Sequence, residues 1–245
     1  MRFLLYNVRY CAGAGTRVHF PLPWIGYLKR TGKTLSRITQ FIDSQDPDIV
    51  GLVEVDGGSY RSRRQNQAEV IAGALGHYHC YESKYAETSF AQLLPIMNKQ
   101  INAFLTNDVV RGERFHYFDR GIKRLAIELE LEDLTVFLVH LSLKYRHRQS
   151  QLGELYTLVK NVRKPHIVAG DFNAFWGDRE IQLFLAATGL RNANTDGWPS
   201  FPSWAPHRQL DFILHSSGIR VNSFQIPQVM LSDHLPLICD FEIVG

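Results

Sequence analysis

The sequence predicts a mixed α/β fold, and three observations predict it. Short apolar runs of strand length, rich in Val, Ile, Phe and Leu, recur from one end of the chain to the other. Segments with apolar residues at helical spacing fall between some of these runs. Two of the runs, 125–131 and 135–141, are joined through Glu132-Asp133-Leu134 and read as an antiparallel hairpin. Crossovers early in the chain and hairpins later argue for sheets of mixed direction.

The elements follow in order. A first strand covers 3–6 and turns polar at Asn7. A helix covers 34–42, where Leu35, Ile38 and Ile42 share one face and Pro47 lies beyond the end. Residues 49–53 form a second strand that ends at Glu54, 67–75 a helix, and 101–105 a strand. After the hairpin come a helix over 149–162, a strand over 166–169 and a helix over 179–187, with Asp178 as its N-cap. Strands over 210–214 and 237–243 complete the chain. No repeat, low-complexity tract or Pro/Gly/Ser linker interrupts it, so a single domain over 1–245 is expected.

Composition excludes several classes. With 245 residues, 45% hydrophobic and 21% charged, including 15 Phe, 10 Tyr and 4 Trp, the chain has enough apolar surface to offset its conformational entropy. No apolar stretch approaches the roughly 20 residues that cross a bilayer. The N-terminus turns polar at Asn7, too soon for a secretory signal. Three widely spaced cysteines with no Cys-x-x-Cys pair argue against a disulfide scaffold or a thiolate zinc site. They fit a reducing compartment, so a cytoplasmic location is expected. The net charge of 27 minus 24, or +3, is uneven: residues 1–42 hold seven Lys or Arg and no acid. Such an excess suits an anionic partner (nucleic acid, phospholipid headgroup or phosphorylated small molecule) or a solvated basic face.

Chemically capable residues sit at the strand ends. Asn7, Glu54 and His140 close three strands, Asp171 and Asn173 follow a fourth, Asp211 lies in 210–214, and Asp233 and His234 precede the last. Ligands collect at strand ends in α/β sheets. Four carboxylates, two histidines and two amides meeting there would suit Mg²⁺ or Mn²⁺ rather than Zn²⁺. Such an ion polarises a phosphoryl oxygen and stabilises an oxygen leaving group. Taken singly, the residues read more readily as an Asx turn, a solvated strand end or a hydrogen-bonded core histidine.

Their joint order carries more. Leu-Tyr-Asn at 5–7, Leu-Val-Glu-Val at 52–55, Val-His-Leu-Ser at 139–142, Gly-Asp-Phe-Asn at 170–173, Leu-Asp-Phe-Ile at 210–213 and Ser-Asp-His-Leu-Pro-Leu at 232–237 span nearly the whole chain. In this order they resemble the endonuclease/exonuclease/phosphatase superfamily of metal-dependent phosphoesterases, which includes deoxyribonuclease I, abasic-site endonucleases, neutral sphingomyelinases and inositol polyphosphate 5-phosphatases. The resemblance implies a four-layer αββα sandwich, two mixed β-sheets face to face with helices outside. It implies Glu54 as the main metal ligand, with Asn7 and Asp233 completing the shell. It implies Asp171 as the group that orients and deprotonates water, with Asn173 holding water or a phosphate oxygen. His234 would contact the scissile phosphate, Asp211 would fix its tautomer, and His140 would contact phosphate or help protonate the leaving oxygen.

Two positions depart from the family pattern. Many relatives carry Arg immediately before the Leu-Asp or Ile-Asp pair, where this chain has Gln209, with Arg208 one residue earlier. Abasic-site endonucleases typically have tyrosine at the position of His140, which tilts the likeness towards deoxyribonucleases and sphingomyelinases.

Outside the motifs, a long basic and aromatic loop over 8–33, with Trp24 and Arg30, is a candidate wall of the substrate site. Trp204, in an aromatic loop with Trp198 and Phe201, is a candidate to stack a base or cover the site. The expected activity is a Mg²⁺- or Mn²⁺-dependent phosphodiesterase acting on DNA or RNA. Its rivals are a phospholipase C-like or small-molecule phosphoesterase and an inactive phosphate-binding module.

Overall fold

The computed structural model describes residues 1–14, 30–85, 97–121 and 123–244. Side chains along a strand point alternately to its two faces, and the inner strands here are apolar on both. In β1 (Arg2–Asn7), Phe3 and Leu5 enter one buried cluster while Leu4 and Tyr6 enter another. A strand apolar on both faces needs a cover on each side, and the fold supplies one of each kind.

The first sheet runs β11 (Ile219–Gln225), β12 (Leu237–Ile243), β1, β2 (Ile49–Asp56), β4 (Gln100–Thr106) and β3 (Tyr78–Ser83). The second runs β5 (Val110–Tyr117), β6 (Leu125–Leu131), β7 (Thr135–His140), β8 (His166–Asp171), β10 (Asp211–His215) and β9 (Arg191–Asn192). Their inner faces share one core, where Phe3, Leu5 and Phe104 meet Ile127, Leu138 and Ile213. On the outer face of the first sheet pack α1 (Gly32–Ser44), through Leu35, Ile38 and Ile42, and α2 (Gln67–Leu75), through Ala68 and Ile71. On the outer face of the second pack α3 (Tyr145–Val159) and α4 (Arg179–Thr188), through Leu152, Leu155, Ile181 and Phe184. The architecture is an αββα sandwich.

Every expected strand overlaps an inner strand, 135–141 running one residue past the end of β7 and 210–214 starting one residue before β10, and the hairpin is antiparallel β6–β7. β3, β5, β9 and β11 were not expected from the sequence; all four are sheet edges. Helix α3 starts at Tyr145 and ends at Val159, earlier at both ends than 149–162, because the 160–162 segment closes as a turn with Val162 N–H on Val159 O. Asp178 does occupy the N-cap of α4 but with helical dihedrals, and its side chain makes no capping bond; its carboxylate accepts from Gln182 instead at 3.3 Å. Among the described residues no helix is long and apolar enough to cross a membrane.

Strand direction decides where the polar residues meet. β1 and β2 run parallel, as do β7 and β8, which puts Asn7 beside Val53 and His140 beside Asp171 at their C-terminal ends. β10 and β12 run against them, so their N-terminal ends lie at the same level: Asp211 pairs with Asp171, and Leu237 with Leu5.

Candidate active site

Asp171 is the hub. It ends β8, is buried, and takes the backbone N–H of Asn173 on Oδ1 at 2.9 Å. On Oδ2 it accepts from Asn7 Nδ2 at 3.1 Å, a bond that crosses from one sheet to the other. His140 Nε2 lies 3.4 Å from the same oxygen. Asn173 adopts φ +53, a left-handed conformation that Asn tolerates better than most residues, and gives its amide to Leu141 O at 2.9 Å. The Asx turn is therefore present, and it leaves Oδ2 of Asp171 turned to the centre. Burial pushes the Asp171 carboxyl up to about 6; Asp211 and Glu54 add to the shift and His234 opposes it.

His234 and Asp211 form a second unit. Nδ1 of the ring lies 2.8 Å from Asp211 Oδ2, which also accepts the Ser200 hydroxyl at 2.6 Å. Phe201 flanks the ring with centroids 4.9 Å apart. Burial disfavours the charged imidazolium, but the ion pair and hydrogen bond with Asp211, helped by Asp171 and Asp233, carry its pKa up to about 10. Ser200 lies inside the aromatic loop, with nothing in its local sequence to mark it. Ser200→Ala removes a hydrogen bond to a buried charge and should cost about 1.5–3 kcal/mol of stability in urea titrations. An unchanged midpoint would show that Asp211 does not depend on it.

Glu54 does not close its strand, as β2 continues to Asp56. It sits instead at φ +58 in a bulge, where pairing with β4 slips between Leu52 and Val55. The bulge re-aims its side chain, and Asn102 Oδ1 accepts the freed Glu54 N–H at 3.3 Å. Two lysines missed in the sequence attend it. Lys123 Nζ is 3.3 Å from Glu54 Oε1 and also contacts His140 Nε2. Buried Lys84 donates to the Tyr10 hydroxyl at 2.8 Å. Burial alone would raise the Glu54 carboxyl, but Lys84, Lys123 and His234 outweigh it and hold it down at about 2. Burial lowers Lys84 to about 7, against the pull of Glu54. His140, buried and facing Lys123, Lys84 and His234, has its pKa driven well below the usual histidine range and stays neutral. Its Nδ1 is buried without a hydrogen-bond partner among the described residues. Lys84 and Lys123 lie in irregular chain outside every motif, which is why no sequence signal marks them.

Asp233 stands at the edge of the group, 3.4 Å from Arg9 Nε, while the Arg9 N–H donates to Asn7 Oδ1 at 3.1 Å. The remaining expected residues behave differently. Arg30 is exposed just before α1, and lines a separate cavity of about 570 Å³ with Arg61 and Arg63. Trp204 is half-buried in the turn after Phe201; Phe201 is the aromatic residue that meets His234. Trp24, with 15–29 of the basic loop, lies outside the described residues. Arg208 donates to Phe175 O and lies over the Phe175 ring at 5.5 Å, so it braces the loop after Asp171.

The donor set fits a hard divalent cation. Among the described residues Asp171, Asp211 and His234 lie with possible ligand atoms within 4.8 Å of one another and Asp211 Oδ1 is buried with no hydrogen-bond partner; with the His234 imidazolium protonated, the donors of this trio are the carboxylate oxygens. This trio differs from Glu54, Asn7 and Asp233, the set the resemblance implies; both are rich in oxygen, as Mg²⁺ and Mn²⁺ require.

Residues 4–234 match the model of a family described as the Endonuclease/Exonuclease/phosphatase family. Similar solved structures include a mannosyl-6-phosphatase of Bacteroides thetaiotaomicron, with TM-score 0.72 and 15% identity over 99% of this chain and 100% of that one. The human Nocturnin catalytic domain with bound sulfate has TM-score 0.71 and 22% identity over 100% and 93%. A 2′,3′-cyclic phosphatase in complex with adenosine-2′,3′-vanadate has TM-score 0.68 and 14% identity over 99% and 95%. At these identities the likeness is one of fold. No curated protein sequence matches the chain.

Proposed function

The chain belongs to the endonuclease/exonuclease/phosphatase family of phosphoesterase hydrolases, and from that premise we propose that it hydrolyses a phosphodiester with the help of Mg²⁺ or Mn²⁺. The observation that carries the reading is the buried Asp171 carboxylate, bridged to Asn7 and facing the His234–Asp211 pair across the same space. A carboxylate poised near neutrality beside a fixed cation has what an in-line displacement by water needs. In this reading Asp171 takes the proton of the attacking water at Oδ2, and Asn173 and Asn7 hold that carboxylate in place. The His234 imidazolium, kept charged by Asp211, faces the charge that develops on the phosphoryl oxygens. Lys84 and Lys123 keep Glu54 ionised, so that Glu54, Asn7 and Asp233 can hold the cation. When bound, the cation supplies Lewis-acid polarisation of the phosphoryl group. His140, being neutral, accepts from Lys123 at Nε2 and lies beside Asp171 rather than serving as a proton donor.

The pH dependence follows from the two shifted groups. The base works only when ionised, so kcat/KM should rise as pH increases through about 6. The cation works only when protonated, so the rate should fall as pH passes about 10. A rate that stays flat from pH 4 to 8, well below and above the Asp171 value of about 6, would remove Asp171 as the base.

The metal roles are tested by titration. Glu54→Gln should weaken Mg²⁺ affinity by at least about tenfold, and more than Asp211→Asn does, because Asp211 Oδ2 is held by Ser200 and His234 and leaves Oδ1 alone to reach an ion. Equal losses would undo that division of roles. The substrate is tested by a screen with Mg²⁺, and with EDTA as control, over bis-p-nitrophenyl phosphate, plasmid, single-stranded DNA, RNA, sphingomyelin and sugar phosphates. The names of the similar proteins, a sugar monophosphatase and a cyclic phosphatase, argue for including monoesters and diesters together. Turnover of monoesters alone would refute the phosphodiesterase reading, and no metal-dependent turnover at all would favour an inactive phosphate-binding module.

A further inference from the structure

Two loops leave the sheet at the end where Asp171 and His140 lie: one follows β7 and leads into α3, the other follows β8 and leads into α4. A buried cross-link fastens them together. Arg148, fully buried near the start of α3, donates from its guanidinium to Ser142 O and Leu143 O at 2.9 Å each and to Glu180 Oε1 at 2.6 Å. Gln149 reaches the other Glu180 oxygen at 3.1 Å. Glu180 lies in the first turn of α4, so the beginnings of both helices are held side by side.

The segments joined by this cross-link expose four large apolar side chains. Trp176 is 84% exposed, Leu183 69%, Tyr145 56% and Leu143 54%. Lys144, Arg146 and Arg179 are exposed among them, and Asp178 is the one exposed acid in these two stretches. Single exposed apolar side chains are ordinary, but here all four lie on the two segments whose helix starts the Arg148–Glu180 cross-link holds side by side, which points to a contact surface. The chemistry selects the partner. Two of the four apolar groups are leucines, which give a nucleic-acid base no ring to stack on, whereas an interfacial surface uses leucine and tryptophan alike. The interleaved cations match the negative charge of lipid phosphates.

We propose that this contact surface docks on an anionic phospholipid surface, with Leu143, Trp176 and Leu183 entering the headgroup boundary and Lys144, Arg146 and Arg179 facing the phosphates. The docking stands apart from the catalytic reading, because none of these side chains belongs to the centre around Asp171. The test is flotation of the full chain with phosphatidylcholine vesicles, with and without phosphatidylserine. The wild type should float with the anionic vesicles and dissociate from them as salt is raised. Leu143→Ser/Trp176→Ser and Lys144→Ala/Arg146→Ala should each reduce the vesicle-bound fraction by at least about tenfold. Both double variants alter exposed side chains, so their melting temperatures should match the wild type and exclude misfolding as the cause. The proposal is overturned if the wild type ignores anionic vesicles, or if the Leu143→Ser/Trp176→Ser variant floats as the wild type does. It is equally overturned if the variants lose binding to an oligonucleotide while vesicle binding is unchanged.

Discussion

Asp171→Asn is expected to lower turnover by at least about 10²-fold, the scale for loss of a general base, while leaving the fold intact. The amide oxygen of the variant can keep the Asn173 N–H bond now made by Oδ1. Its NH₂ group would replace Oδ2, the atom that faces Asn7 at 3.1 Å and His140 at 3.4 Å, and it cannot accept a proton from water. That NH₂ group also faces the Asn7 amide donor, so the bond between the two sheets is lost and a modest loss of stability accompanies the change. His234→Ala should cause a loss of similar size for a different reason, because it removes the cation aimed at developing phosphoryl charge. It also leaves Asp211 with Ser200 as its remaining partner and opens a gap against Phe201, so some loss of stability accompanies it. Single-turnover rates on bis-p-nitrophenyl phosphate at saturating Mg²⁺, with circular dichroism as the folding check, separate the two. Wild-type rates from either variant would remove that residue from the mechanism.

Gly170→Ala is expected to be the most damaging small substitution, lowering stability by more than about 3 kcal/mol. Gly170 has φ +148, which side-chain-bearing residues rarely adopt. A Cβ there would lie 1.9 Å from Val139 O, a backbone atom that cannot rotate away. Gly170 pairs with Val139 on β7 and with Phe212 on β10, one residue before Asp171. The added methyl must therefore push β7 from β8 beside both His140 and Asp171. Chemical denaturation and Mg²⁺-dependent turnover should fail together. A variant as stable as the wild type would mean that the close approach of the two strands is not obligatory.

The inner architecture was legible in the sequence because burial leaves a local signature. Strands such as β1, β2, β7 and β8 are covered by the other sheet on one face and by helices on the other, so they read as unbroken apolar runs. The edge strands carry no such record. Tyr78–Ser83, Val110–Tyr117 and Ile219–Gln225 mix exposed polar and aromatic residues, and only pairing with β4, β6 and β12 makes them strands. The candidate centre divides in the same way. Asn7, His140, Asp171, Asn173, Asp211 and His234 could be picked out from motif order, since each sits beside an inner strand whose position the apolar pattern marks. What each one touches could not. Asn7 and Asp171 are 164 residues apart, and their bond depends on how the two sheets are packed face to face. The bulge that turns Glu54 inward comes from slipped pairing with β4, and the contact of Lys123 with Glu54 joins groups 69 residues apart. A periodic pattern records which faces of a segment are buried. Register and sheet packing decide which distant side chains share one enclosed space, and there the charges set one another's protonation.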